Sequence, residues 1–256
     1  MTDEVLYEVE GRVATLTLNR PEQRNAVNPE LAAALEAAVD RFEGDDDAWV
    51  AVLTGAGGTF SAGADLKAIA AGRARELATA RGGFAGFVRL PRRKPVIAAV
   101  QGPALAGGTE LVLACDLVVA GSDAAFGLPE VTRGIIAAGG GLLRLPRVLP
   151  RARALELVLT GERLGADEAL RLGLVNAVVE PDQVLATARA LAERICRNAP
   201  VAVRESLALA RQAAELSEDD GWRRTAEAMD RIRQTDDAAE GPRACAEKRE
   251  PRWTGR

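Results

Sequence analysis

Two short, unbroken apolar runs limit the fold of this chain more than any other feature: WVAVLTG at residues 49–55 and PVIAAVQG at residues 95–102, each closed by glycine. A strand with one wet face alternates apolar and polar residues. A run that is apolar throughout is covered on both faces, as in parallel sheets enclosed by helices. Upstream, Val5, Tyr7 and Val9 alternate, Gly11 turns the chain, and Val13 to Leu18 resume, which predicts a hairpin. Asn28 ahead of Pro29 predicts a helix start, with Leu31, Leu35, Ala38, Val39 and Phe42 on one face and Gly44 as its stop. GGTELVLACD opens a helix at Gly107 or Gly108, and DLVVAG, residues 116–121, returns to strand character. Leu155, Val158 and Leu159 mark a further helix, Ala169 to Leu172 another ending at Gly173, and Leu174 to Val179 a last strand. After Pro181 three amphipathic helices are expected, carrying Val184, Leu191 and Ile195, then Val203, Leu207 and Ala210, then Trp222, Met229 and Ile232. This order predicts an α/β core over residues 1–195 followed by a helical region over 196–256.

Composition narrows the chemistry. An apolar fraction of 48% with 27% charged residues suits an ordinary soluble globular protein. The chain has no histidine, so Ser-His-Asp and Cys-His catalysis and His-ligated metals are excluded, and proton transfer falls to Asp, Glu, Lys, Tyr or Cys. Cys115, Cys196 and Cys245 form no CxxC, so reduced, mostly buried thiols are expected rather than a disulfide framework or a thiolate metal site. A net charge of −4 offers nucleic acid no general attraction. The N-terminus lacks a signal-peptide pattern, and no apolar run nears the ~20 residues that span a bilayer, so a cytoplasmic location away from the membrane is expected. Nothing in the pattern calls for a metal or a redox cofactor.

Three segments carry chemically useful groups. GAGGTFSAGADLK, residues 55–67, is a glycine-rich loop between a buried strand and a helix, and it exposes backbone N–H groups. GPALAGGTE, residues 102–110, places Gly107 and Gly108 at a helix N-terminus and Glu110 in its first turn, an arrangement suited to an oxyanion. FGLPE places Glu130 behind Pro129, twenty residues after Glu110. Taken singly, each also describes a common turn, a helix cap or a surface glutamate.

Their order is more specific. SAGADLK, KPVIAAVQGPALAGGTELVLACD, FGLPE and RGIIAAGGGLLRLPR follow one another as in the enoyl-CoA hydratase/isomerase (crotonase) family, and NRPEQRNAVNPEL and GPRACAEKREPRWTGR resemble its opening and closing segments. The resemblance runs nearly end to end. It implies a spiral of ββα units with a C-terminal helical region that assembles trimers and often hexamers. It further implies that the backbone N–H groups of Ala64 and Gly107 form an oxyanion hole for a thioester carbonyl. Glu110 would orient and activate water, and Glu130 would deliver a proton to Cα.

Around the acyl-CoA thioester the resemblance places Arg24, Ala62, Asp65, Leu66, Lys67, Gly108, Pro129 and Ala138 as substrate-binding residues, with Lys248 reaching CoA phosphates. CoA then enters as part of the substrate, and no separate cofactor is expected. Residues 68–90 are implied to line the acyl pocket, and RLPRRK at 89–94 reads as a solvated loop. Retention of both glutamates favours hydration of a 2-enoyl-CoA. Double-bond isomerisation, a carnitinyl-CoA dehydratase-like reaction, another CoA-thioester reaction of this fold and non-catalytic acyl-CoA binding are the alternatives. The sequence departs from the family at Ala137, Ala138, Leu142 and Leu143, where Pro-Gly and Thr-Gln are more usual, while Gly139 to Gly141 remain.

Overall fold

The computed structural model describes residues 3–256. Its first half runs β1 (Val5–Glu10), β2 (Val13–Leu18), α1 (Pro29–Gly44), β3 (Val50–Gly55), α2 (Leu66–Ala70), β4 (Ala78–Thr79), β5 (Gly83–Phe84), β6 (Val96–Val100), β7 (Pro103–Leu105), α3 (Gly107–Ala114), β8 (Leu117–Gly121) and β9 (Ala125–Gly127). The second half runs α4 (Gly141–Val148), α5 (Arg151–Thr160), β10 (Leu164–Gly165), α6 (Ala166–Arg171), β11 (Ala177–Val179), α7 (Val184–Cys196), α8 (Pro200–Gln212), α9 (Glu218–Arg233) and α10 (Asp236–Glu247).

The large sheet has the order β1-β2-β3-β6-β8-β11, antiparallel only at the β1–β2 hairpin. Its central strands explain the unbroken apolar runs. Ala51, Leu53, Ala98 and Val100 pack into the main core with Leu31, Leu35 and Phe42 of α1, whereas Val50, Val52, Ile97 and Ala99 pack against Val184, Ala188 and Ala192 of α7. Both faces are dry, so the alternation that marks a half-buried strand is absent. After β6 the chain crosses to a small sheet, ordered β10-β9-β7, then enters α3 and returns to the large sheet at β8. That strand–strand–helix step begins again with β8 and β9, which is the spiral of ββα units. The step brings the N-terminus of α3 and the residues after β9 to one end of the molecule.

Several expectations need correction. The tail contains four helices after Pro181, not three, because Thr235 caps a separate α10 by accepting the Ala238 N–H. The last strand is Ala177–Val179 rather than 174–179. Leu174 and Val175 are core residues ahead of it, and Asn176 fixes the entry by bonding the Val118 backbone at both N–H and C=O. In α5 the buried face is Ala154 and Leu157, and Leu159 is 72% exposed. Cys115 and Cys196 are half-buried, but Cys245 is exposed.

The RLPRRK segment is not a solvated loop. Lys94 is 2% exposed and donates Nζ to the carbonyls of Phe42 and Asp45 at 2.7 and 2.6 Å, which satisfies the C-terminal end of α1. Arg92 lies over the Phe87 ring at 4.2 Å and donates to the carbonyls of Phe87 and Ala114. Arg211 of α8 donates to both carboxylate oxygens of Asp116 at 2.7 Å, and Asp116 also accepts the Val96 N–H at 2.8 Å, so one carboxylate ties the helical tail to β6. Among the described residues, no helix is long and apolar enough to cross a membrane.

Candidate active site

Two chain segments meet at the start of α3. In the first, the Ser61 hydroxyl donates to the Asn25 carbonyl at 2.8 Å and accepts the Gly63 N–H at 3.2 Å. Val27 then bridges Ala64 by donating to the Gly63 carbonyl at 2.7 Å and accepting the Asp65 N–H at 2.9 Å. Both bonds of the bridge use the neighbours of Ala64, so the Ala64 N–H is left facing away from Val27. In the second segment, Ala106 adopts φ 53° and ψ −124°, a conformation costly for a residue with a Cβ, and it swings the chain into α3 at Gly107. As the first helical residue, Gly107 has no intrahelical acceptor for its N–H. A Cβ on Gly63 would stand 2.8 Å from the Gly107 nitrogen, and one on Gly107 2.4 Å from the Phe84 ring, so the two segments touch backbone to backbone.

Gly108 has a packing role. A Cβ there would meet the Ser61 carbonyl oxygen at 2.2 Å. Gly108→Ala should therefore force the segments apart and cost about 2 kcal/mol. A denaturant titration checks this, and an unchanged midpoint would mean that the contact yields freely.

Thr109 pins α3 by donating to the Ala104 carbonyl at 2.6 Å and accepting the Gly127 N–H at 2.9 Å. The next residue, Glu110, is 3% exposed, and its Oε1 accepts the Gly141 N–H at 2.9 Å. The other oxygen, Oε2, lies against Gly139, where a Cβ would come within 2.5 Å of it. Burial pushes the Glu110 carboxyl up to about 7, the Glu130 charge adds to this, and the Gly139 and Gly141 backbone with Arg144 hold it down. Glu130 is 7% exposed on the short helical turn Pro129–Arg133, and its Oε2 is buried without a hydrogen-bond partner among the described residues. Burial raises its pKa as well.

These groups share one cavity of about 920 Å³. Glu110, Glu130, Ala64, Gly107, Arg24, Ala62, Leu66 and Ala138 all line it. So do Ile69, Leu77, Phe84 and Val88 from the segment 68–90, and Ile135, Ile136 and Leu143 from the segment that departs from the family. Asp65, Lys67, Gly108, Pro129 and Lys248 do not line it. Asp65 is turned inward, where it caps α2 through the Lys67 and Ala68 N–H groups and pairs with Arg20 at 3.0 Å. Lys248 sits in the left-handed C-cap of α10.

Arg144 was not foreseen from the sequence. It lines the cavity beside Glu110 and donates to the carbonyls of Val88 at 2.6 Å and Gly139 at 3.3 Å, tying the wall opposite the glycines to them. Its position three residues into an amphipathic-looking LLRLPR run gave no signal of an inward turn.

The family model for enoyl-CoA hydratase/isomerase matches residues 8–256. The chain belongs to that family. Over the full length of both chains it is 42% identical to a protein of Salmonella arizonae named carnitinyl-CoA dehydratase. The crystal structure of an enoyl-CoA hydratase from Mycobacterium tuberculosis H37Rv superposes with a TM-score of 0.95 at 48% identity, covering 99% of this chain and 100% of that one. A structure named carnitinyl-CoA hydratase from Mycobacterium avium reaches 0.79 at 45% identity with both chains fully covered. As a member of the crotonase family, the protein is an enzyme of CoA-thioester metabolism.

Proposed function

We propose that the protein is an enoyl-CoA hydratase, adding water reversibly across the 2,3 double bond of an enoyl-CoA thioester. The observation that carries this reading is the pair of buried carboxylates, Glu110 and Glu130, lining one cavity with the N–H groups of Ala64 and Gly107. A thioester carbonyl oxygen placed between those two N–H groups takes up negative charge as water adds at Cβ, and fixed donors stabilise that enolate without reorganising. Glu110, held through Oε1, uses Oε2 to take a proton from water as its oxygen bonds to Cβ. Glu130 gives a proton to Cα, and the carbonyl re-forms. Dehydration runs the same steps backwards. Solvent exchange resets the two protons.

The cavity wall from Ala62 and Leu66 to Arg24 is the side we assign to the pantetheine and adenine ends, and Lys67 and Lys248 would act there only from outside the wall described. Trimer or hexamer assembly through the tail helices, α8 to α10, is proposed on the same family grounds, with residues 1–195 as the catalytic core. The 42% relative named for carnitinyl-CoA favours dehydration of a hydroxyacyl-CoA as the second reading, and it uses the same glutamates in reverse.

Product analysis separates hydration from isomerisation. Crotonyl-CoA should give 3-hydroxybutyryl-CoA, whereas conversion of a 3-enoyl-CoA to a 2-enoyl-CoA without any hydroxyacyl product would replace this reading. The pH profile carries a second expectation. Glu110 must be ionised to accept a proton, and its pKa is about 7, so kcat/KM should rise as pH increases through about 7. A rise centred near pH 4 would contradict a base whose carboxyl is raised by burial.

A further inference from the structure

The carnitinyl group in the names of several relatives ends in a trimethylammonium, and the cavity wall bears on whether such a cation fits. Its guanidiniums outnumber its carboxylates four to two: Arg24, Arg89, Arg133 and Arg144 against Glu110 and Glu130. Arg24, Arg89 and Arg133 are exposed lining residues. Arg144 is half-buried beside Glu110, where the acyl group would lie. Among the described residues Phe84 is the one aromatic ring on the wall, so they build no aromatic cage around the site. Both carboxylates are committed to proton transfer, and neither is free to serve as a permanent counter-ion.

We infer that the acyl end of this cavity selects against cationic acyl groups, and that Ala138 is the position that sets this selectivity. Elimination singles out Ala138. Of the wall segment 135–144, Gly139 cannot take a side chain because a Cβ would meet Glu110 Oε2 at 2.5 Å. Gly140 has φ +105°, and a Cβ there would meet Arg144 Nη1 at 2.2 Å. Ile135, Ile136 and Leu143 are, like Ala138, exposed apolar lining residues, but none of them adjoins Gly139, the glycine that stands against Glu110 Oε2. Ala138 lines the cavity directly ahead of the glycines that face Glu110, and it has room outward. A carboxylate at that position would give a cationic acyl end its counter-ion, and a methyl group gives it none. This inference rests on the reading above that both glutamates transfer protons on an acyl-CoA thioester.

The test compares two saturated thioesters of equal shape, γ-trimethylammoniobutyryl-CoA and its neutral isostere γ-tert-butylbutyryl-CoA, by calorimetric binding. The wild type should bind the neutral form at least about tenfold more tightly. Ala138→Asp should shrink or reverse that ratio, and Leu143→Glu, at an exposed lining site that does not adjoin Gly139, should move it less. Equal or tighter binding of the cation by wild type would overturn the inference, and a ratio unmoved by Ala138→Asp would overturn the assignment to that residue. The 2,3-unsaturated forms of both thioesters are assayed in parallel. Failure of the neutral one to be hydrated, with the binding order intact, would count against the hydratase reading alone.

Discussion

Glu110→Gln should lower the rate of hydration by about 10²–10⁴-fold while leaving the fold intact, since the glutamine carbonyl can still accept the Gly141 N–H that Oε1 accepts at 2.9 Å. The same change should stabilise the protein at alkaline pH. Burial raises the Glu110 carboxyl from its ordinary 4.5 to about 7, so the native state holds a proton that the unfolded chain has released between those values. Stability from this group is therefore full below about 4.5 and is lost as pH rises through about 7. At pH 8 the ionised, buried carboxylate costs about 3 kcal/mol, which glutamine does not incur. Urea midpoints for the variant should exceed those of wild type at pH 8, and the gap should close towards pH 4.5. A variant that is inactive and also less stable at pH 8 would show that Glu110 is a structural residue. Active sites hold groups whose environment opposes their charge, and this opposition is what tunes them.

The second large effect is expected far from the chemistry. Asp116→Ala should cost about 2 kcal/mol, because it removes both carboxylate bonds of the Arg211 guanidinium, which is 28% exposed and keeps only the Arg92 carbonyl, and it leaves the Val96 N–H without an acceptor. By contrast, Arg223→Ala removes pairs with Asp220 and Glu227 that are more than half exposed, and it should leave the midpoint unchanged within error. Equal losses in the two variants would mean that the tail is not anchored through Asp116. Since α8 is the first helix of the region assigned to assembly, Asp116→Ala should also weaken oligomerisation in sedimentation if the helical tail carries it.

The parts of the fold legible in the sequence were those with enough length to show a pattern. β3 and β6 announced themselves as dry strands, and α1 through Asn28, Pro29 and its apolar face. The small sheet and the β4–β5 pair were invisible, since strands of two or three residues carry no period. The tail hid α10 for another reason. Its sequence, DDAAEGPRACAE, lacks large apolar residues, so nothing but the Thr235 cap separates it from α9. At the site, Glu110 and Glu130 were named by their motifs, but their nearness depends on the step from β7 through α3 to β9, which is a matter of topology. Phe84 falls within the segment 68–90 expected to line the acyl pocket, whereas Arg144 gives no signal because an arginine in a polar-faced helix has a commoner explanation. Asp65 is expected from the resemblance as a ligand contact, and its side chain caps α2 and pairs with Arg20.

The measurement that tests the central claim most directly is the loss of enoyl-thioester absorbance when crotonyl-CoA is mixed with wild type, Glu110→Gln and Glu130→Gln in parallel. Two-glutamate hydration predicts rapid loss with wild type and rates reduced by about 10²-fold or more with either variant. Loss at the wild-type rate in either variant, or none with wild type although the thioester binds, would contradict it.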